Sequence, residues 1–238
     1  MRISVKIRVI RVIRVLLTIM KKKVAVIHTF LYTVQNFIDL FNEIVPEVEM
    51  VNIIDDSLLK EVLANDGPTP GVYHRICSYA MQAQAMGADA ILNACSSVGE
   101  VADAAQKILN IPYVKVDGPM AEIAINTGSN IGVVATAHST IGPSSRLVER
   151  TAERLGKDVT VNRCYAEGAY DALLKENDKP KHDKILMQTI DDACAANDVV
   201  ILAQGSMMSL LEKTQDKPVP VICSMRTGVE QIKDVLKL

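Results

Sequence analysis

The sequence predicts an α/β protein made of two repeated parallel-sheet lobes that face each other across a cleft. Three observations carry that expectation. Short runs rich in Val and Ile alternate with longer helical patterns, as parallel α/β architecture requires. Most of those runs are apolar throughout, which suits strands covered by helices on both faces. Finally, three strand segments recur in the same order at nearly constant spacing, the mark of an internal duplication.

Taken in chain order, strands are expected at 24–29, 48–54, 90–94, 113–116, 130–136, 159–164, 199–203 and 219–223. Helical periodicity is expected over 34–44, 71–86, 99–109, 119–126, 144–155, 166–175, 182–195, 208–213 and 227–237. Pro68 and Pro70 make 65–71 a loop, and the charged run 176–181 reads as another.

The repeat assigns positions as well as lobes. Asp89-Ala-Ile-Leu-Asn-Ala-Cys95-Ser-Ser97 aligns with Asp198-Val-Val-Ile-Leu-Ala-Gln204-Gly-Ser206 at an offset of 109 residues, and Gln106 then falls on Gln215. Ile-Pro112-Tyr-Val matches Val-Pro220-Val-Ile at 108, and Val24-Ala-Val-Ile-His-Thr29 matches Ile131-Gly-Val-Val-Ala-Thr136 at 107. The expected division is a basic leader over 1–20, a first lobe over 21–117 joined by the last helix at 225–238, and a second lobe over 118–224. Ligands of open parallel sheets bind at the carboxyl ends of the strands, so the cleft belongs there.

Composition narrows the function. A chain of 238 residues with 49% hydrophobic and 23% charged residues is globular. Its 26 basic and 28 acidic residues, absence of Trp and 4% aromatics argue against a nucleic-acid partner, which calls for basic excess and stacking surfaces. Arg2, Lys6, Arg8, Arg11 and Arg14 put five of the basic residues into the first 19 positions with no acid, so the body is acidic. This leader has arginines through its middle, no A-x-A site, and no apolar run of the roughly 20 residues that span a bilayer. It reads as an appendage, and a chain beginning at Met20 is expected to stay soluble and fold. Five scattered cysteines with no CxxC pair fit neither a disulfide framework nor zinc, and suit a reducing cytoplasm. There is no GxGxxG after a strand, no GxxxxGK[ST] and no HExxH, so no nucleotide, metal or other cofactor is expected.

Asn93-Ala-Cys95-Ser-Ser97 and Ile131-Gly-Val-Val-Ala-Thr136-Ala-His-Ser-Thr140 resemble the motifs of the aspartate/glutamate/hydantoin racemase superfamily, and the resemblance covers 20–238. It implies two pseudosymmetric flavodoxin-like lobes, cofactor-independent chemistry on a small carboxylic acid, and a catalytic Cys at a strand end in each lobe. A homodimer is expected with it. Here the second Cys position holds Gln204. Because a Gln amide has no accessible proton-exchanging state near neutral pH, it can anchor substrate but cannot move protons. One thiol suits a one-donor lyase such as a decarboxylase, or a hydrolase with a covalent step. The family itself implies racemisation. A catalytically silent binding or regulatory module is the alternative from another class.

Cys95 also stands on its own position. It sits where a buried strand meets a helix N-terminus, whose exposed N–H groups favour an anion. A free thiol titrates near ~8.5, and lowering it to ~7 is within reach of a helix end plus one hydrogen bond. Ser96, Ser97, Gly205 and Ser206 are candidate carboxylate contacts, with helix capping as the plainer role. Thr29 and Thr136 end equivalent strands and are candidate substrate contacts, as is His138; His28 is a further candidate.

Overall fold

The computed structural model of the protein describes residues 21–238, and the basic leader over 1–20 lies outside them. Two four-stranded parallel sheets form, with strand orders β2-β1-β3-β4 and β6-β5-β7-β8. The first contains β1 (Lys23–His28), β2 (Glu49–Ile54), β3 (Ala90–Asn93) and β4 (Tyr113–Lys115). The second contains β5 (Asn130–Ala135), β6 (Thr160–Tyr165), β7 (Val199–Leu202) and β8 (Val221–Cys223). Their registers repeat: Val24 opposes Ala90 in one sheet, and Ile131 opposes Val199 in the other.

The apolar residues of the central strands explain the layering. On β1, Ala25 and Ile27 face one side and Val24 and Val26 the other, as the strand period of two dictates. Ala25 and Ile27 pack with α2 (Ser57–Ala64), α3 (Pro70–Ala85) and α4 (Val101–Gln106) through Val62, Ile76 and Val101. Val24 and Val26 pack with Phe37 of α1 (Val34–Ile44) and with Val229 and Ile232 of α9 (Ser224–Leu236). The second sheet is covered likewise. Met120 of α5 (Gly118–Thr127) and Val148 of α6 (His138–Leu155) pack over Ile131 and Val133. On its other face Leu186 and Ile190 of α8 (Lys179–Ala196) meet Val134, Val200 and Leu202 beside α7 (Ala169–Leu174). Central strands β3 and β7 are buried at every residue, whereas edge strands β2 and β6 alternate with exposed positions. At about 1.5–3 kcal/mol for each fully buried large apolar side chain, the two central pairs hold each lobe together.

The first residue of the long repeat is structural. The Asp89 carboxylate accepts the Lys23 N–H at 2.9 Å, and the Asp198 carboxylate accepts that of Asn130 at 2.8 Å. Each ties the start of its lobe's β1 or β5 to the adjacent strand at the end remote from the cleft.

All eight expected strands form; the helices differ in four places. Helix α2 was not anticipated, because 57–64 sits close to an evident loop. Its Ser57 N–H is accepted by Asp55 Oδ1 at 3.1 Å, and Leu58 and Val62, four apart, are buried. Helix α6 begins at His138 rather than 144: Pro143 lies inside its second turn, where a missing N–H removes a single early bond. Helix α8 begins at Lys179, within the expected loop, because Asp178 accepts the Lys181 N–H at 2.9 Å and Pro180 occupies the first turn. The expected 208–213 helix is instead a 3-10 run, Gly205–Thr214.

Gly228 shows how tightly α9 lies on β4. A Cβ there would come within 2.8 Å of the Val116 carbonyl oxygen, which is backbone and cannot swing away. Gly228→Ala would gain about 1 kcal/mol of helix propensity but force a shift costing about 1–3 kcal/mol. The expected outcome is a lower urea midpoint than wild type, and an unchanged or raised midpoint would show that α9 can lift freely.

Candidate active site between the lobes

Each lobe ends its two central strands at the same place. Thr29 follows β1 and Cys95 lies two residues past β3; Thr136 follows β5 and Gln204 lies two residues past β7. Cys95 (φ −135°, ψ 117°) and Gln204 (φ −135°, ψ 139°) share one extended conformation, and each immediately precedes a 3-10 run, Ser96–Val98 or Gly205–Thr214. All four line a single cavity of about 70 Å³, as do Ser96, Ser97, Gly205 and Ser206. Since one water needs ~10–15 Å³ of such space, the cleft suits a small molecule rather than a nucleotide.

The two lobes pair a strand-tip threonine with the residue at the neighbouring strand end. In the second lobe Gln204 Oε1 accepts the Thr136 N–H at 2.5 Å and its hydroxyl at 3.0 Å. A backbone N–H requires an acceptor, so this contact fixes the amide and turns the NH₂ away from Thr136 as a free donor. In the first lobe the Thr29 hydroxyl is buried beside the Cys95 thiol and has no hydrogen-bond partner.

Burial pushes the Cys95 thiol up, more than the neighbouring Thr29 hydroxyl and the N–H groups of Ser97 and Val98 pull it down. The lowering towards ~7 that a helix end could bring is therefore not reached. The physical reason is local: Cys95 heads a single 3-10 turn and then the six-residue α4, not a long helix with a full dipole, and it is half-buried among apolar side chains. Cys223 ends β8, is 2% exposed, and burial pushes it up to about 11. It belongs to the core of the second lobe, leaving Cys95 as the cleft's thiol among the described residues.

For these thiols the folded state holds its proton to higher pH than the unfolded chain does. Their contribution to stability is full below ~8.5 and is lost as pH rises towards the folded value. The melting temperature is therefore expected to fall between about pH 9 and pH 11, and Cys95 alkylation by iodoacetamide to be slow at pH 7 and to rise only well above pH 8.5. Fast alkylation at pH 7 would mean a low thiol pKa and would overturn this reading.

The serines after Cys95 work between the lobes. Ser96 Oγ donates to the Ala203 carbonyl at 3.2 Å, and Ser97 Oγ lies 3.0 Å from Thr140 Oγ1. These hydroxyls hold the two lobes together at the cleft, and Gly205 and Ser206 are the less committed pair. Gly205 also fits only as glycine, since a Cβ would meet Met225 Sδ at 2.8 Å and Thr33 Cγ2 at 2.9 Å.

Both histidine candidates fall away from the cleft. His138 is exposed and stacks on Tyr165 with ring centroids 4.0 Å apart, because it is the first residue of α6 and points along its outside. His28 is fully buried, and Asn52 Oδ1 accepts its Nε2–H at 2.8 Å beside Phe37. Burial lowers its pKa, so it is a neutral core residue.

Other walls were not foreseen. Phe30 and Leu59 come from the first lobe, and Tyr170, Leu173 and Leu174 from α7 of the second. Helices α2 and α7 follow β2 and β6 at equivalent places, so carrying the repeat through the edge strands would have pointed to both. Among the described residues no Arg, Lys, His, Asp or Glu lines the cavity. Its polar groups are hydroxyls, the thiol, one amide and backbone.

The fold and cleft agree with the comparison to known proteins. The sequence profile of Asp/Glu/hydantoin racemases matches residues 31–232. The chain belongs to this family. A comparison with curated proteins finds no match. Among solved structures, this racemase-family chain is similar in fold to glutamate racemase of Bacillus anthracis, at TM-score 0.66 and 18% identity over 92% of this chain and 83% of that one. It is similar also to allantoin racemase of Pseudomonas fluorescens (TM-score 0.64, 17% identity, 91% of each chain). Aspartate racemase of Picrophilus torridus gives TM-score 0.67 and 15% identity, over 90% of this chain and 93% of that one. Within that shared fold the family member described here carries Gln204 at the position that its own repeat aligns with Cys95.

Proposed function

We propose that this racemase-family protein is a cofactor-independent enzyme that acts on a small carboxylic acid with Cys95 as a single proton donor, in the manner of a lyase. The observation that carries the reading is the pairing at the strand ends: a thiol on one side of the cleft faces an amide locked by Thr136 on the other. A thiol kept neutral by burial is an acid poised to give a proton, and a poor resting nucleophile. The Gln204 NH₂ and the hydroxyl and backbone N–H of Ser206 supply donors for a carboxylate or a developing oxyanion.

The cleft's lack of cations supports loss of charge during the reaction. A malonic-type acid would place one carboxylate on these donors and the other against the apolar wall of Leu173, Leu174 and Phe30. Breaking the bond between that carboxyl carbon and the α-carbon releases carbon dioxide and leaves the electron pair on the α-carbon as an enediolate. Cys95 Sγ–H then protonates that carbon from one face, and water reprotonates the thiolate. No second acid is needed.

The test is to incubate the protein with amino, hydroxy and malonic-type acids in deuterated water and follow them by NMR. Loss of carbon dioxide with one deuteron delivered to a single face is the expected result. Deuterium at an α-carbon with inversion would make it a racemase despite Gln204. Saturable binding with no product from any compound would favour a binding or regulatory module.

A further inference from the structure

A second cavity, of about 230 Å³, shares Ser96 with the cleft but is otherwise lined by different residues, and unlike the cleft it is highly charged. Its buried part holds Asp117, which is 2% exposed and whose Oδ1 has no hydrogen-bond partner. Its open part holds Arg150 and Arg154, both 59% exposed. Lys115 is matched by Asp103 at 2.7 Å, and Arg154 by Glu122 at 2.5 Å. Arg146 and Arg150, however, share the one carboxylate of Glu100, at 2.9 and 3.3 Å. The inner end therefore has a carboxyl whose neighbouring cation, Lys115, is paired with Asp103, and the outer end a guanidinium without its own carboxylate.

An unpaired buried carboxylate is costly, and Asp117 responds as expected: burial pushes it up, against the pull of the nearby Ser96 hydroxyl and Lys115 charge. A cationic group from a ligand would relieve the same cost without a proton. A ligand with a cation at one end and an anion at the other would complete both ends of the cavity at once.

We propose that this cavity is a second ligand site, which takes a small zwitterionic α-amino acid with its ammonium on Asp117 and its carboxylate on Arg150. Such a ligand acts on the cleft through Ser96. That hydroxyl lies within reach of Asp117, donates to Ala203 across the lobe boundary, and follows Cys95 in the chain. An ammonium on Asp117 changes the charge beside Ser96 and with it the strength of the Ser96 bond to Ala203, beside Gln204.

Glycine and L-alanine are the probes, titrated calorimetrically into the full chain. Expected is saturable binding that Arg150→Ala and Asp117→Asn each weaken by roughly tenfold or more. Arg150 is exposed, so its variant should fold even if Asp117→Asn does not. Glycine should also change the rate of Cys95 alkylation in wild type but not in Arg150→Ala, which separates this site from direct occupation of the cleft. No binding of either probe, binding untouched by Arg150→Ala, or an alkylation rate indifferent to glycine would overturn the proposal. Methylammonium binding as tightly as glycine, with no competition from acetate, would reduce the site to a cation pocket and overturn the amino-acid assignment.

Discussion

Replacing Cys95 with alanine is expected to lower turnover by about 10²–10⁴-fold, the usual worth of a positioned general acid, while the melting temperature and ligand affinity stay near wild type. Both halves follow from its placement. Cys95 is half-buried at a strand end, outside the fully buried central strands, so truncating it leaves a small gap open to the cleft. No other thiol can substitute, because Cys223 is enclosed in the second lobe's core. Cys95→Ser should be nearly as inactive, since a hydroxyl of similar shape is a far weaker acid. Turnover of product by Cys95→Ala within tenfold of wild type would remove Cys95 from the chemistry altogether. A covalent adduct on Cys95, seen by mass spectrometry during turnover, would instead make it the nucleophile of a hydrolase.

Gln204→Cys is expected to confer or raise α-proton exchange with inversion, by setting a second thiol opposite Cys95 in the same extended backbone conformation. The gain comes with lower stability. Gln204 Oε1 satisfies both the N–H and the hydroxyl of Thr136, and a thiol is a weak acceptor, so about 1–3 kcal/mol should be lost. Gln204→Leu provides the comparison, since it removes the same acceptor without adding a thiol. It should be destabilised by a similar amount and gain no exchange. If wild type already racemises an amino acid and Gln204→Cys does not improve it, position 204 is not the counterpart of Cys95 in the chemistry.

Much of this arrangement could be read from residue order alone, because the features involved are local or repeated. Continuous apolar runs mark strands wherever both sheet faces are covered, and all eight were legible. The offsets of 107 to 109 between matched segments placed Cys95 on Gln204 and Thr29 on Thr136 without any knowledge of packing. Helix ends were harder. Pro143 reads as a boundary yet lies inside α6, and Asp178 starts α8 within a run that its charges mark as loop. Helix α2 is longer than its partner α7 yet is harder to read, because 57–64 adjoins the loop marked by Pro68 and Pro70.

Sequence order thus specified the two lobes, the strand ends and the thiol-for-amide exchange between them, since each depends on patterns within one segment or between two copies of it. Folding in three dimensions decided what those residues do. Hydroxyls at Ser96 and Ser97 became bonds between the lobes, because their partners, Ala203 at a strand tip and Thr140 in the first turn of α6, come from the other half of the chain. Burial raised the Cys95 thiol where a helix end alone would have lowered it, which favours the proton donor over the nucleophile of the two roles its position allows. His28 and His138, adjacent to strand tips in order, went to the core and to the surface, because the direction of a side chain depends on its strand face and helix turn. The charge of a site, and whether it faces water, is a property of every segment that surrounds it, and no single stretch of sequence contains that.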